Sequence, residues 1–117
     1  YRHTRKIGTL IALGSLLTDQ NKLLKALPML NEAYLTCQEN FPDTDQDMAE
    51  AENALGYCYA KMGDLDSAEK YLIHSHAEII KTNDNESLIV KKSNDRLSYF
   101  QKIITSNSGL TVNQLRK

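Results

Sequence analysis

The 117 residues are 41% hydrophobic and 25% charged, which is typical of a folded globular protein of one domain. The 14 basic and 15 acidic side chains leave a formal net charge of −1, so nucleic acid is not an expected partner. No apolar run approaches the roughly 20 residues needed to cross a bilayer, so a membrane is not an expected partner either.

The first residue and the two cysteines indicate what kind of protein and which compartment the chain comes from. The sequence begins at Tyr1 without a methionine or a signal-like segment, so we expect a piece of a longer protein. Cys37 and Cys58 form no CxxC pair, and neither has a second cysteine or a histidine at ligand spacing. We therefore expect half-buried thiols, a reducing cytoplasmic compartment and no metal. A disulfide between neighbouring helices is compatible with this spacing, but nothing in the sequence suggests one.

The first part of the chain predicts two helices. Apolar residues at helical spacing predict the first from Ile7 to Leu17, and the polar residues 19–21 end it. The basic stretch 2–6 is interpreted as a solvated helix face, because a nucleic-acid-binding arm requires many phosphate contacts. A second helix is predicted from Leu23 to Glu39, with Pro28 close enough to its first turn for the disruption to be small.

A loop and two further helices follow. Residues 41–45 (FPDTD) predict a loop, because proline disfavours helix at the residue before it. The third helix is predicted from Gln46 to Lys61, ended by Gly63 in a left-handed conformation. The fourth helix is predicted to begin with Asp64 or Asp66 as its N-cap.

The last third of the sequence predicts one long helix. The fourth helix is expected to end near Thr82, and apolar spacing predicts the fifth from Glu86 to Ile104. Residues 105–109 (TSNSG) predict a polar break. Residues 110–117 are interpreted either as a cap on the open end or as a frayed terminus.

An internal period of 42 residues relates three stretches of the chain without gaps. The chain divides accordingly into one repeat at 1–42, a second at 43–84, and a partial third repeat with a C-terminal cap at 85–117. Such helix pairs cannot bury their apolar faces alone and need neighbours of the same shape. Two columns define the register, the first of which we expect in the core: Leu13, Leu55 and Leu97, followed by Gly14, Gly56 and Ser98.

The second unit resembles the tetratricopeptide repeat. Its period exceeds the usual 34 residues by about eight, which makes each helix about one turn longer. The longer period, the segment Ala26–Ala33 and the segment Phe41–Ala49 are similar to the kinesin-light-chain type of this repeat. The chain departs from the pattern at Glu52, where the repeat usually has tryptophan, and at Ser75, where it usually has alanine. The matching positions are Leu55, Gly56, Tyr59, Gly63, Ala68 and Leu72.

This resemblance implies an all-α fold, a right-handed α-solenoid of stacked antiparallel helix pairs with about two and a half repeats. It also implies a protein–protein interaction module that binds a partner peptide in a concave groove lined by the first helix of each pair. Such a module is expected to belong to a larger signalling or scaffold protein. The groove positions that the resemblance implies are Ile11, Ser15, Thr18 and Asp19 in unit one, Glu50, Asn53, Tyr57 and Lys61 in unit two, and Lys92, Asp95, Tyr99 and Lys102 in unit three.

Seven of these positions are the candidate partner-binding residues. Tyr57 and Tyr99 lie one period apart, and tyrosine is favoured at binding surfaces. The lysines beside them suit an acidic or carboxylate-bearing peptide, although the full lysine–asparagine clamp of some family members is not reproduced. The alternative is an ordinary solvated helix face. The candidates are Asn53, Tyr57, Lys61, Lys92, Asp95, Tyr99 and Lys102.

Nothing in the sequence predicts an enzyme or a cofactor. His74 and His76 lie two positions apart on a helix and point about 200° from each other, so they do not form a chelating pair. The sequence has no nucleophile elbow and no glycine-rich phosphate loop. Two alternatives stay open. One is a structural or oligomerisation module that stacks through its open ends at the first and fifth helices. The other is a helical phosphotransfer domain with either histidine as the acceptor.

Overall fold

The structure, a computed structural model, describes residues 2–40 and 46–107, with side chains placed in 6–39 and 47–106. These ranges form five α-helices and no strand, as predicted. The polar residues 105–107 continue the last helix instead of breaking it, while the predicted loop at 41–45 and the predicted cap at 110–117 lie outside the described residues. The helices are α1 (Arg2–Asp19), α2 (Leu23–Asn40), α3 (Gln46–Met62), α4 (Leu65–Thr82) and α5 (Leu88–Asn107).

The helices stack as pairs in two layers. Helix α1 packs on α2 and α3 packs on α4, while α3 also contacts α1, α2 and α5. The first helices α1, α3 and α5 therefore form one layer, and the second helices α2 and α4 form the other. The described residues extend over 55 × 31 × 23 Å, which fits a short stack better than a sphere. This arrangement confirms the predicted all-α fold of repeated helix pairs.

The turns inside the two complete pairs have the same backbone geometry. Gly63 has φ = 87° and Asn21 has φ = 63°, and these residues occupy equivalent places one period apart. Glycine adopts this left-handed region without a steric penalty, and asparagine adopts it more readily than most other residues. Asp64 then caps α4, because its carboxylate accepts hydrogen bonds from Ser67 N (3.3 Å) and Ser67 Oγ (2.9 Å). Both predictions for this turn are confirmed.

Each pair contains one very close contact between a glycine and a leucine. A Cβ atom on Gly56 would lie 2.8 Å from Leu72 Cγ and 3.0 Å from the Leu72 backbone nitrogen. A Cβ atom on Gly14 would lie 2.5 Å from Leu30 Cδ2. Glycine at these positions therefore lets the two helices approach more closely than any side chain would permit. Ser98, at the equivalent place in α5, is exposed.

Equivalent residues of a repeat column are not all in the core. A residue of the column is buried only where another helix covers its face. Leu55 is completely buried against α2, where Ala26 and Leu30 pack on it. The expectation that Leu13 also lies in the core is wrong, since its exposed fraction is 45%. No described helix covers the face of α1 that carries Leu13. Leu97, the third member of the column, is half-buried.

We predict opposite effects of alanine at two helical glycines. Gly56→Ala should lower the free energy of unfolding by about 1–3 kcal/mol, because the new methyl group overlaps Leu72. Gly8→Ala should raise it by about 0.4–1 kcal/mol, because no atom lies within 4 Å of the added methyl group and alanine favours helix. Urea unfolding followed by circular dichroism measures both. Equal effects of the two substitutions would contradict the close contact.

Candidate functional site

The inner faces of the first helices enclose an open groove of about 330 Å³, called the inner groove below. Helices α1 and α5 form its two walls, and Glu50 reaches it from α3 between them. The groove has apolar patches as well as both signs of charge, so it suits an extended or helical peptide better than a purely polar ligand. Its lining consists of Gly8, Ile11, Ala12, Ser15, Leu16, Asp19, Glu50, Ile89, Lys92 and Arg96.

The predicted tyrosine pair forms an aromatic corner beside this groove. The rings of Tyr57 and Tyr99 meet edge to face, with their centroids 5.5 Å apart and their planes at 74°. Lys61 Nζ lies 5.4 Å from the centroid of Tyr57 and 5.7 Å from that of Tyr99. These distances allow cation–π attraction to both rings. The structure thus brings three of the seven predicted residues together.

Arg96 joins the aromatic corner to the inner groove. Its guanidinium carbon lies 5.3 Å from the centroid of Tyr57. Its Nη1 donates to Asn53 Oδ1 at 3.0 Å, and its Nη2 donates to Ser15 Oγ at 3.4 Å. A single side chain of α5 therefore contacts both α3 and α1, which fixes the two groove walls relative to each other.

The charge of Arg96 is balanced inside the groove. Burial lowers the pKa of its guanidinium, while the charges of Asp19, Tyr57 and Glu50 oppose that shift. Arginine stays protonated even so. Burial likewise raises the pKa of the Tyr57 hydroxyl, and the negative charge of Asp19 raises it further, while the charge of Arg96 opposes the shift. Charged and polar groups from all three first helices therefore meet at the groove and the aromatic corner.

Asn53 lies deeper than the sequence suggested. We expected an exposed groove residue, but its side chain is completely buried. Asn53 Nδ2 donates to Ser75 Oγ at 3.0 Å and to Ser93 Oγ at 3.1 Å, while its oxygen accepts from Arg96. We call Asn53, Ser75, Ser93 and Arg96 the polar cluster. It connects α3, α4 and α5, so Asn53 positions the groove helices.

The remaining predicted residues divide between the groove and solvent. Lys92 lines the inner groove and is exposed there. Asp95 and Lys102 are exposed but do not line the groove. They occupy the face of α5 that corresponds to the α4-facing side of α3. Their part in partner binding stays a prediction.

The two histidines have separate neighbours. His74 Nδ1 lies 2.9 Å from Glu52 Oε2, on the side of α3 that faces α4. His76 Nδ1 lies 2.7 Å from Ser93 Oγ, so it extends the polar cluster. Within the described ranges, no three side chains of histidine, cysteine, aspartate or glutamate are grouped to hold a metal ion. None of the helices in that part of the chain is both long and apolar enough to span a bilayer.

Glu52 is a buried carboxylate at a place where this kind of repeat usually has a large aromatic residue. Its exposed fraction is 6%, and burial is the main reason that its pKa is raised. The hydrogen bond and the charge of His74 partly oppose the shift, whereas the charge of Glu78 adds to it. Burial raises the pKa of Tyr34 in α2, and the charge of the nearby Glu52 carboxylate adds to that shift. The pair Glu52–His74 therefore joins α3 to α4 at a cost in desolvation.

The geometry identifies the class of protein, and a comparison identifies its family. Antiparallel helix pairs that repeat every 42 residues around a groove define a helical-repeat protein. The family model for the tetratricopeptide repeat matches residues 5–77, more than half of the chain, so the chain belongs to the tetratricopeptide repeat family. Such repeats are in general protein-interaction modules. No curated protein and no solved structure matched the chain significantly. The kinesin-light-chain subtype stays a prediction.

We predict that Asn53→Ala lowers the free energy of unfolding by about 1–3 kcal/mol. The substitution leaves the Arg96 guanidinium and two buried hydroxyl groups without this partner. The matched control is Asn94→Ala, which removes the same group from an exposed position on α5. Urea unfolding compares the two variants. Similar small losses in both would show that the polar cluster contributes little to stability.

We also predict a defined pH dependence from Glu52. Its pKa is higher in the folded chain than the ordinary 4.5, so the folded state binds this proton more tightly. Its contribution to stability is therefore complete below pH 4.5 and is lost as the pH rises through the raised pKa. The free energy of unfolding of the natural chain relative to Glu52→Gln should fall across that window. A rise across it would contradict the assignment, and Glu69→Gln, at an exposed position on α4, serves as the control.

Proposed function

We propose that the inner groove and the aromatic corner bind an acidic or carboxylate-bearing peptide segment of another protein, without catalysis. The observation that carries the proposal is the placement of Lys61 over both Tyr57 and Tyr99, next to the groove. Flat aromatic rings beside a cation provide contact area and charge recognition in one place.

The distribution of charge supports an acidic partner. Arg96 is near Asp19 and Glu50, which compensate its charge before any ligand arrives. Lys61 and Lys92 form no ion pair with the described residues. These two ammonium groups are consequently available to carboxylates of a peptide, and an exposed rim charge acts mainly on the rate and selectivity of association.

The predicted residues have different tasks in this proposal. Tyr57 and Tyr99 contact the peptide side chains or backbone, and Lys61 and Lys92 meet its carboxylates. Asn53 does not contact the peptide, because it is buried, but it holds the groove in shape.

The wider setting is part of the same proposal. We place the chain in the cytoplasm, in a larger signalling or scaffold protein with repeats of the kinesin-light-chain type. The thiol groups of Cys37 and Cys58 are completely buried and not half-buried as predicted, and they suit a reducing compartment. The 42-residue period supports the subtype, because the turns at Asn21 and Gly63 keep that spacing in the backbone.

The proposal is tested with immobilised peptides of nine residues. Each acidic peptide is accompanied by a control peptide in which Asn and Gln replace Asp and Glu. We expect the acidic members to bind, and binding to weaken with added salt. The best peptide is then titrated by fluorescence anisotropy. Lys92→Glu should weaken it at least about tenfold, whereas Lys91→Glu makes the same charge change on an exposed face outside the groove and should change it little.

A second pair of substitutions tests the aromatic corner. Tyr57→Ala combined with Lys61→Glu should abolish peptide binding, while circular dichroism shows that the helices persist. Equal binding by Lys91→Glu and Lys92→Glu, or full binding by the double variant, would contradict a ligand site in the inner groove.

A structural role is the second candidate function. It is favoured by Leu13 and Leu16 on α1, whose exposed fractions are 45% and 51%. Light scattering over a concentration series distinguishes the two functions, since a groove binder alone stays monomeric. Growth in mass with concentration would support stacking between copies.

A further inference from the structure

One face of the first helices is buried on α3 and exposed on α1. On α3, this face carries Ala51, Ala54, Leu55 and Cys58, none of which is more than 1% exposed. The equivalent residues of α1 are all exposed, Leu13 by 45% and Leu16 by 51%. We call the α1 set the uncovered face of α1. It consists of Thr9, Ala12, Leu13 and Leu16.

The structure shows what covers this face one repeat later. Helix α2 packs Ala26 and Leu30 on one part of the α3 face, and Ala33 and Cys37 pack around Ala51. The covering helix therefore carries small residues and a leucine at helical spacing. Because the uncovered face of α1 is equivalent by the repeat, a helix of the same pattern fits it.

The last described helix, α5, differs from α3 on the side that faces the second helix of a pair. On α3, the side that faces α4 carries Gly56, which contacts Leu72, and Tyr59, which stacks on Tyr71. In α5, the residues at this side are polar and exposed, as expected for the capped end of a repeat array. They are Lys91, Asn94, Asp95, Ser98, Gln101 and Lys102.

A second copy of this chain cannot cover α1 in the way that α2 covers α3. The face of α2 that covers α3 is already completely buried, from Ala26 to Cys37. The equivalent residues of α4, from Ala68 to Ile79, are buried as well. Neither of the described second helices has this face available for another α1.

We propose that a further helix pair of the same repeat type docks on the uncovered face of α1, and that no pair docks on α5. The docking helix carries small residues at the places of Ala26 and Ala33, and leucine at the place of Leu30. The stack thus extends in one direction only. This inference rests on the equivalence of the repeats and not on peptide binding, but Ala12 and Leu16 also line the inner groove, so a docked pair covers part of its α1 wall. It gives a definite form to the structural candidate function.

The test uses the whole chain with one added unit. A copy of residues 1–42 is joined directly ahead of residue 1, which keeps the 42-residue period and places a second α2 in front of α1. We expect the tandem to unfold in a single transition at a higher temperature than the natural chain. Leu13→Ala in the original unit should then lower the midpoint of the tandem by about 5 °C or more. In the natural chain it should lower the midpoint much less.

Two control variants complete the experiment. Leu88→Ala, at a residue of α5 that is 67% exposed, should cost the same in the tandem and in the natural chain. Ser98→Leu should be tolerated in both, because Ser98 is exposed and no described helix covers that side of α5. An equal cost of Leu13→Ala in both chains, two separate transitions, or aggregation of the tandem would overturn docking on α1. Destabilisation by Ser98→Leu would overturn extension at one end only.

Discussion

The close approach of a glycine to a leucine sets the distance between the two helices of each pair, and the rest of the stack depends on it. Gly14 meets Leu30 and Gly56 meets Leu72, and no side chain larger than hydrogen fits at either glycine without displacing the leucine. Since the second helix then lies against one side of the first, the first helix keeps another side for its neighbours in the stack. The inner groove lies among the sides of α1, α3 and α5 that this pairing leaves open.

The polar cluster gives that groove a fixed shape. Apolar packing tolerates small shifts of one helix along another, whereas buried hydrogen bonds require particular distances and penalise every unsatisfied partner. The amide nitrogen of Asn53 donates hydrogen bonds and its oxygen accepts one from Arg96. Arg96 extends these contacts to Ser15 on α1. The same guanidinium lies beside the Tyr57 ring. The groove walls and the aromatic corner are therefore held by a common set of contacts.

The sequence was sufficient for the features that depend on neighbouring residues. The helix order, the left-handed turn at Gly63 and the cap at Asp64 follow from local preferences, and the period follows from comparing the chain with itself. Periodicity also showed which residues share a face, but it did not show which faces are covered. Leu13 illustrates the difference, because its equivalent Leu55 is buried by a helix that has no described counterpart in front of α1.

The candidate site was less predictable because its chemistry joins distant parts of the chain. Asn53 bonds to residues 22 and 40 positions away, and Arg96 bonds to residues 43 and 81 positions away. No pattern on one helix reveals such partners. A local signal for Arg96 does exist, because it follows Lys92 by four positions and therefore shares its helix face. The tyrosine pair is predictable because both members occupy the same repeat column.

The bond between Arg96 and Ser15 has a consequence for the order in which the chain folds. Helices in the described part of the chain otherwise pack on neighbours in the stack, and such short-range contacts form quickly because little chain entropy is lost in closing them. A contact across 81 residues forms only after the intervening helices have assembled. The wall of helices is thus expected to condense before this bond forms and completes the recognition surface.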